Sequence, residues 1–218
     1  MMFKWFDKLS AAIAAGPLGA AGIIKPDLAA GRIYETNLPR TEVVKLFSER
    51  AVASGSVAHT PGSIDELGRI VRETLPAGSS ILIDPTLDAA GELTEKLHDG
   101  FRVLPMTGFD DEILFTVTAA ITAVDLAVAE TGSIVLSSRP SQPRLASLTP
   151  EFHFALIRPD QIVPDHLDLP ERLKKLYGSN TPKGITIISG PSKTADIEMN
   201  LVIGVHGPAQ MHMVILPD

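Results

Sequence analysis

The sequence predicts an α/β domain: a mainly parallel sheet with helices on both faces and an antiparallel extension. Between about residues 38 and 104, short apolar segments alternate with amphipathic helical segments. This alternation is typical of parallel sheets, whose two faces are covered by the connecting helices. Further on, apolar runs at 124–129 and 133–137 are separated only by Glu130-Thr131-Gly132. A connection that short favours an antiparallel hairpin.

In the first half, helices and strands are predicted to alternate. The clearest helix starts after Ser63, because Glu66 stands three residues later and completes a capping box. Leu67 and Val71 then lie on one apolar face of that helix. The predicted elements are, in order, a helix from Thr41 through Phe47, a strand at 56–59, the helix after Ser63, a strand at 80–84, a helix at 89–98 and a strand at 101–104.

The second half is predicted to be richer in strands. Strands are expected at 124–129, 133–137, 152–157, 185–189 and 211–216, with a helix at 170–177 before the fourth of them. Residues 107–121 are predicted to be helical. The acidic segment 193–198 is predicted to form one or two helical turns.

Residues 1–37 are predicted to form an N-terminal helix and a loose Gly/Ala-rich arm, and residues 38–218 a single α/β domain. Phe6, Leu9 and Ile13 have the spacing of one face of an amphipathic helix. Lys8 and Ser10 interrupt the apolar core that a signal peptide needs. No apolar run reaches the roughly 18 residues of a membrane span. We therefore expect a cytoplasmic protein with no membrane span.

Composition and motifs exclude several classes of protein. A net charge of -7 argues against a nucleic acid partner, which requires basic surfaces. The chain has no cysteine, so it cannot itself supply Cys-ligated zinc or iron–sulfur sites or a thiol nucleophile. No G-x-G-x-x-G motif follows a strand, and Gly190-Pro-Ser-Lys193 has serine where a Walker A motif has glycine before its lysine. We expect the chain to bind no cofactor of its own.

Polar residues beside the predicted strands are the candidates for chemistry, because α/β proteins place binding groups in the turns after strands. If the strands are neighbours, these residues converge on one cleft. The candidate catalytic residues are Glu130, His153, Asp196 and His206. The candidate ligand-binding residues are Thr131, Gly132, Gly190, Pro191, Ser192, Lys193, Thr194, Glu198 and Gly207.

Structural interpretations of the same residues stay open. Ser192 or Thr194 serves only as a helix N-cap in one interpretation, with Asp196 complementing the helix dipole. His153 alone is more often a structural histidine than a catalytic one. A metal site from His153, His206, Asp196 and Glu198 is possible in composition. The spacing of these four residues matches no metal motif, so no metal site is predicted.

Three segments resemble the LUD-domain family, specifically its lactate-utilisation protein C group. They are Ala129-Glu-Thr-Gly132 with the strand that follows, Leu145-Ala-Ser-Leu-Thr-Pro150 leading to His153, and Gly190-Pro-Ser-Lys-Thr-Ala-Asp-Ile-Glu198 with Gly204-Val-His-Gly-Pro208. The resemblance covers roughly residues 38–218. The sequence departs from the family pattern at Ala120, where glycine is frequent, and at Thr149, where leucine is frequent.

The resemblance implies a fold similar to the sugar-phosphate isomerase and CoA-transferase superfamily. It also implies that the chain takes part in oxidising L-lactate to pyruvate together with two iron–sulfur proteins. Larger members of the family carry a Cys-rich ferredoxin-like module, which this chain lacks. The iron–sulfur clusters are therefore expected in the partner proteins.

Three functional hypotheses follow. The chain is a non-redox subunit of a lactate-oxidising complex that binds substrate, a small ligand or its partners. Alternatively, it is a free-standing enzyme on an anionic small molecule, with acyl-CoA- or folate-type chemistry by analogy of fold and Glu130 as nucleophile or base. In the third hypothesis it is an assembly protein whose Gly-rich turns are purely structural.

Overall fold

The computed structural model describes residues 33–34, 37–106, 111–180, 182–197, 200–204 and 207–217; for residues 111, 194–197 and 200–203 only the backbone is described. These residues belong to one compact unit, Ile33–Asp218. The predicted N-terminal helix lies outside the described residues, and the boundary at residue 38 stays a prediction. In the described part of the chain, every helix is too short or too polar to cross a bilayer.

The described residues contain five α-helices, three short 3-10 helices and twelve strands. The helices are α1 (Arg40–Ala53), α2 (Ile64–Thr74), α3 (Ala90–His98), α4 (Asp111–Leu114) and α5 (Leu169–Tyr177). The strands are β1 (Val57–His59), β2 (Ser80–Ile83), β3 (Arg102–Pro105), β4 (Ala119–Ala123), β5 (Leu126–Val128), β6 (Ser133–Ser137), β7 (Phe152–Ile157), β8 (Ile162–Val163), β9 (Ile185–Ile188), β10 (Lys193–Ile197), β11 (Asn200–Ile203) and β12 (Gln210–Ile215).

The main sheet has six strands in the order β1-β12-β7-β4-β2-β3, and every neighbouring pair is parallel. A second sheet has the order β8-β5-β6-β9, in which β6 runs antiparallel to both of its neighbours. Strands β10 and β11 form a separate antiparallel pair. The predicted α/β class and the predicted hairpin across Glu130–Gly132 are confirmed. The predicted antiparallel extension is a separate small sheet.

Apolar side chains cover both faces of the main sheet. On one face, α2 and α3 pack against the strands through Leu67, Val71, Leu93 and Leu97, all of which are fully buried. On the other face, α1 and the small sheet pack against β7 and β12. The side chains that form this second core include Phe47, Ile134, Ala155, Ile157 and Met213. A sheet covered on both faces explains why all six residues of β7 are buried, His153 included.

Local sequence signals set several boundaries. The Ser63 hydroxyl accepts a hydrogen bond from the Glu66 amide at 3.2 Å, which confirms the predicted N-cap of α2. Helix α1 begins at Arg40, one residue before the predicted cap Thr41. Strands β6 and β7 have the predicted bounds.

The prediction of helix over 107–121 is wrong at its end, because residues 119–123 are the central strand β4. Ala119 and Ala120 hid this strand from sequence analysis, since alanine is depleted in strands. In the structure both are fully buried between β2 and β7. Small side chains fit here because both faces of the sheet are covered by other elements.

The predicted helical turns at 193–198 are also wrong, because residues 193–197 form β10, paired with β11. Thr194 and Ile197 are β-branched and favour extended backbone. The partner segment 200–203 contains Val202 and Ile203, of the same class. Ser192 and Thr194 therefore do not act as helix N-caps, because Ser192 directly precedes a strand and Thr194 lies within it.

The backbone at the C-terminal end of α1 packs in direct contact with two glycines. Gly132, in the β5–β6 turn, has φ +64°, and a Cβ added there would lie 2.2 Å from the Ala51 nitrogen. Gly190 has φ +87°, and a Cβ added there would lie 2.6 Å from the Ser54 oxygen. Only glycine satisfies both the left-handed conformation and the backbone contact. The Lys193 ammonium donates to the same Ser54 oxygen at 2.7 Å, which places a cation at the C-terminal end of the helix dipole.

We expect Gly132→Ala to lower the free energy of unfolding by about 3 kcal/mol or more, since backbone strain adds to steric overlap with α1. Gly91 is the matched control: it lies in α3 with nothing within 4 Å of an added Cβ. Gly91→Ala is expected to raise stability by up to about 1 kcal/mol. Urea denaturation of both variants measures the difference. Equal stabilities would contradict the close packing of the turn.

Candidate functional site

Several predicted ligand-binding residues gather around the end of α1, and we name this region the glycine-turn surface (residues 130–133 and 189–193 with Ser54). The Ser133 hydroxyl lies 2.7 Å from the Thr131 hydroxyl and 2.6 Å from the Ser189 hydroxyl. The β5–β6 turn and the Gly190-Pro191 turn are therefore direct neighbours. Thr131 and Lys193 are exposed on this surface, whereas Gly190 and Pro191 are buried.

The Gly190-Pro191-Ser192 turn also contacts the second Gly-rich turn of the sequence, which contains Gly204 and Gly207. The Ser192 amide donates to the Pro208 oxygen at 2.9 Å, and the Gly204 amide donates to the Ser192 oxygen at 3.0 Å. A Cβ added at Gly207 would lie 3.1 Å from the Ser192 Cβ. This contact lies just before β12, at the amino end of the main sheet. Glu198 and His206 lie outside the described residues, as do the side chains of Thr194 and Asp196.

Glu130, at the edge of this surface, also belongs to a second group of polar residues. Its carboxylate lies 2.5 Å from the His166 Nδ1, and His166 Nδ1 lies 3.6 Å from the Asp165 carboxylate. The Glu130 hydrogen bond is the main reason why the pKa of His166 is raised above its ordinary value. The Asp165 carboxylate accepts from the amides of Ile33 and Leu167, both at 2.9 Å. These backbone contacts help to lower the pKa of Asp165, although burial opposes them.

The same trio is the candidate cation site of the described residues. Ligand atoms of Glu130, Asp165 and His166 all lie within 4.8 Å of one another. Two carboxylates and an imidazole are chemically suited to a divalent metal. In the structure, however, the Asp165 oxygens are occupied by backbone amides and the imidazole by Glu130. The arrangement is accounted for as an ion pair that fixes the residue 165–168 turn beside the β5–β6 hairpin.

His153 lies inside the main sheet, not at a strand-end cleft. It is fully buried, and its Nε2 lies 2.8 Å from the Thr122 hydroxyl on the neighbouring strand β4. Its Nδ1 is buried without a partner. Burial, with a smaller effect from nearby His212, lowers the pKa of His153 to about 3. The imidazole is therefore neutral at physiological pH, and its catalytic role stays a prediction.

A cleft that sequence analysis did not identify lies at the opposite, carboxyl end of the main sheet. From β2 the chain proceeds to β3 on one side, whereas from β4 it returns to the main sheet at β7 on the other. Such a reversal is where open α/β sheets bind ligands. The fully buried Asp84 carboxylate bridges the two strand ends, since it accepts from the Thr86 amide at 2.9 Å and the Ala123 amide at 3.3 Å.

We name this feature the carboxyl-end cleft; its volume is about 550 Å³. A further cavity of about 110 Å³ continues it along Thr86 to Ala89. The sequence signal that was available is a charged residue directly after an apolar strand, as at Asp84 and Arg158. The residues that line the cleft are Thr86, Ala123, Val124, Asp125, Leu126, Arg139, Arg158, Asp160, Gln161, Arg172, Lys175 and Leu176.

We expect Glu130→Gln to lower the pKa of His166 towards the ordinary value of about 6.5, because the main interaction that stabilises the imidazolium is lost. Histidine ring resonances followed by NMR between pH 5 and 9 measure this change. The exposed Glu151→Gln removes the same charge elsewhere and serves as control. An unchanged His166 titration in Glu130→Gln would contradict the ion pair.

Acid sensitivity is expected from His153. Its pKa is about 3 in the folded protein, against about 6.5 in the unfolded chain. The unfolded state therefore binds an extra proton between these values, and stability falls as the pH drops below about 6.5. In His153→Gln we expect this fall to be shallower by up to about 1.4 kcal/mol per pH unit. Urea denaturation at pH 6.5, 5.5 and 4.5 measures the slopes, and identical slopes would contradict a buried neutral His153.

Sequence comparisons show which known proteins this chain is similar to. A sequence profile of the LUD domain matches residues 44–216. Lactate utilization protein C of Shouchella clausii is 37% identical, with 93% of this chain and 92% of the relative aligned. Lactate utilization protein C 1 of Bacillus mycoides is also 37% identical, over 71% of this chain and 69% of the relative. The match to Lactate utilization protein C of Exiguobacterium spans only 47% of that relative, at 39% identity.

A solved structure shares the fold. The crystal structure of a DUF162 family protein from Deinococcus radiodurans superposes with a TM-score of 0.62 at 24% identity, covering 83% of this chain and 99% of the other. The LUD profile begins within α1 and ends just after β12, and so includes every described strand. This chain therefore belongs to the LUD-domain family.

Proposed function

We propose that this chain is a cytoplasmic, non-redox component of an iron–sulfur system that oxidises L-lactate to pyruvate. The observation that carries the proposal is the match to Lactate utilization protein C of Shouchella clausii along 92% of that protein. A match along nearly the whole chain transfers function better than a shared segment does. In this proposal the chain binds substrate, a small ligand or its partner proteins.

The chemistry of the chain supports a role that depends on partners. Oxidation of lactate removes an electron pair, which needs an acceptor. This chain has no cysteine to ligate an iron–sulfur cluster, and no dinucleotide-binding motif. In the proposal, the electrons pass to clusters held by two iron–sulfur partner proteins.

The glycine-turn surface is the proposed contact region for those partners or for a ligand. Its exposed residues are Thr131 and Lys193. The backbone near them is restrained by the close packing of Gly132 and Gly190 against α1. A rigid surface loses little conformational entropy on binding. The candidate residues Asp196 and His206 belong to the Gly-rich sequence segments 190–198 and 204–208, the first of which overlaps this surface.

We expect a strain that lacks this chain to lose growth on L-lactate and to keep growth on glucose. The wild-type gene is expected to restore growth on lactate, whereas Asp196→Asn and His206→Ala restore it poorly if these candidates contact substrate or partner. Growth rates in defined media are the measurement. Normal growth of the deletion strain on lactate would refute the proposed function.

Thermal unfolding of the purified variants separates function from stability. If Asp196→Asn and His206→Ala keep the wild-type Tm, poor growth reflects lost binding or catalysis. If both unfold, the Gly-rich turns are structural, and the assembly hypothesis is favoured. A pull-down of the wild-type chain from cells grown on lactate then tests for iron–sulfur partners directly.

A further inference from the structure

We propose that the carboxyl-end cleft binds a small organic anion that carries two negative charges on carboxylate or phosphate oxygens. This inference goes beyond the proposed function, because it concerns a different part of the molecule and a different class of ligand. It stands on the position of the cleft, the charges that line it and one buried, unpaired donor.

The charge of the cleft is opposite to that of the protein. The chain has a net charge of -7, yet four cationic side chains and only two carboxylates line this cleft. An excess of positive charge in a concave site concentrates anions there. The buried Asp84 carboxylate beneath the cleft is satisfied by the Thr86 and Ala123 amides, so the excess of two positive charges among the lining side chains matches a dianion better than a monoanion.

Both carboxylates of the cleft are already occupied. Asp125 accepts from the Arg139 guanidinium at 2.6 Å and from the Ser137 amide at 2.5 Å. Asp160 accepts from the Arg158 Nε at 3.2 Å. Lys175 has no hydrogen-bond or ion-pair partner among the described residues. Its ammonium is therefore available to a ligand without breaking a contact within the protein.

Arg139 is fixed in position by the protein but keeps an N–H donor without an acceptor. Its contact with the nearly buried Asp125 fixes one side of the guanidinium, while its Nε is buried without an acceptor. Backbone hydrogen bonds join Arg139 to Gln142. The side-chain Nε2 of Gln142 donates to the Ala123 carbonyl oxygen at 2.9 Å. The turn is thus tied to the floor of the cleft. An unpaired buried donor is unfavourable, and a shift of the partly exposed Arg139 side chain that brings this N–H to a ligand oxyanion would relieve this.

Size and geometry define the class of ligand. A volume of about 550 Å³ is that of a metabolite site and far exceeds a single bound ion. Guanidinium groups recognise carboxylate and phosphate oxygens through paired N–H donors. Because Arg139 and Lys175 both line the cleft, it offers cations to two carboxylates of one molecule or to the oxygens of one phosphate group.

Isothermal titration calorimetry on the full chain tests this proposal, with succinate, glycerol 3-phosphate and L-lactate as probes. We expect one of the two dianions to bind with a stoichiometry of one, more tightly than lactate, and to bind more weakly at high salt. Binding of succinate identifies a dicarboxylate site, and binding of glycerol 3-phosphate a phosphate site. If neither dianion binds at up to about 10 mM, or if lactate binds as tightly, the proposal is overturned.

Matched variants place the binding in the cleft. Lys175→Gln removes a cation from the lining, whereas Lys174→Gln removes the same charge from the adjacent exposed residue of α5, which does not line the cleft. We expect roughly tenfold weaker binding for Lys175→Gln, by loss of one charged contact, and unchanged binding for Lys174→Gln. Equal effects of the two would overturn the assignment to this cleft.

Arg139→Lys provides a second, independent test. Lysine keeps the charge beside Asp125 but lacks the Nε donor and the planar fork. We expect binding to weaken roughly tenfold in this variant, with the Tm close to that of the wild type. Wild-type affinity in a folded Arg139→Lys protein would show that the unpaired donor has no role in binding and would overturn that part of the proposal.

Discussion

The rest of this fold depends on the close approach between the end of α1 and two glycine turns. Helix α1 covers the main sheet on the side of β7 and β12, while the β5–β6 hairpin and the Gly190 turn press against its last residues. At both contacts the backbones are too close for any side chain, and both glycines have a left-handed conformation. The Lys193 ammonium on Ser54 then closes the helix end. One helix terminus thereby fixes the relative position of the two sheets.

Clusters of polar groups lie at both ends of the main sheet. The amino end carries the contact between the two Gly-rich turns, where backbone hydrogen bonds dominate. The carboxyl end carries Asp84, Arg139 and Arg158, where charged side chains dominate. His153 lies between these ends, buried and neutral. A contact with protein partners at one end is therefore compatible with a small-molecule site at the other.

The sequence was sufficient for the class of fold, because hydrophobic periodicity and the Ser63 cap are local signals. It failed at β4, whose alanines are strand residues only because the sheet is covered on both faces, and at β10, whose conformation depends on pairing with β11. The site was harder to predict. Four of the predicted ligand-binding residues do meet around α1: Thr131, Gly132, Gly190 and Lys193. The carboxyl-end cleft, by contrast, is lined by residues as far apart in sequence as Thr86 and Lys175. No local signal in the sequence indicates that such distant residues are neighbours.

The position of β12 has a consequence for biosynthesis. This strand lies between β1 and β7, so the first described strand of the domain reaches the rest of the sheet only through the last one. Non-local pairing of this kind slows folding. During translation, β1 has no strand partner in the main sheet until residues 210–215 have left the ribosome. Until then the edge of β1 stays unpaired, and exposed strand edges favour aggregation of incomplete chains.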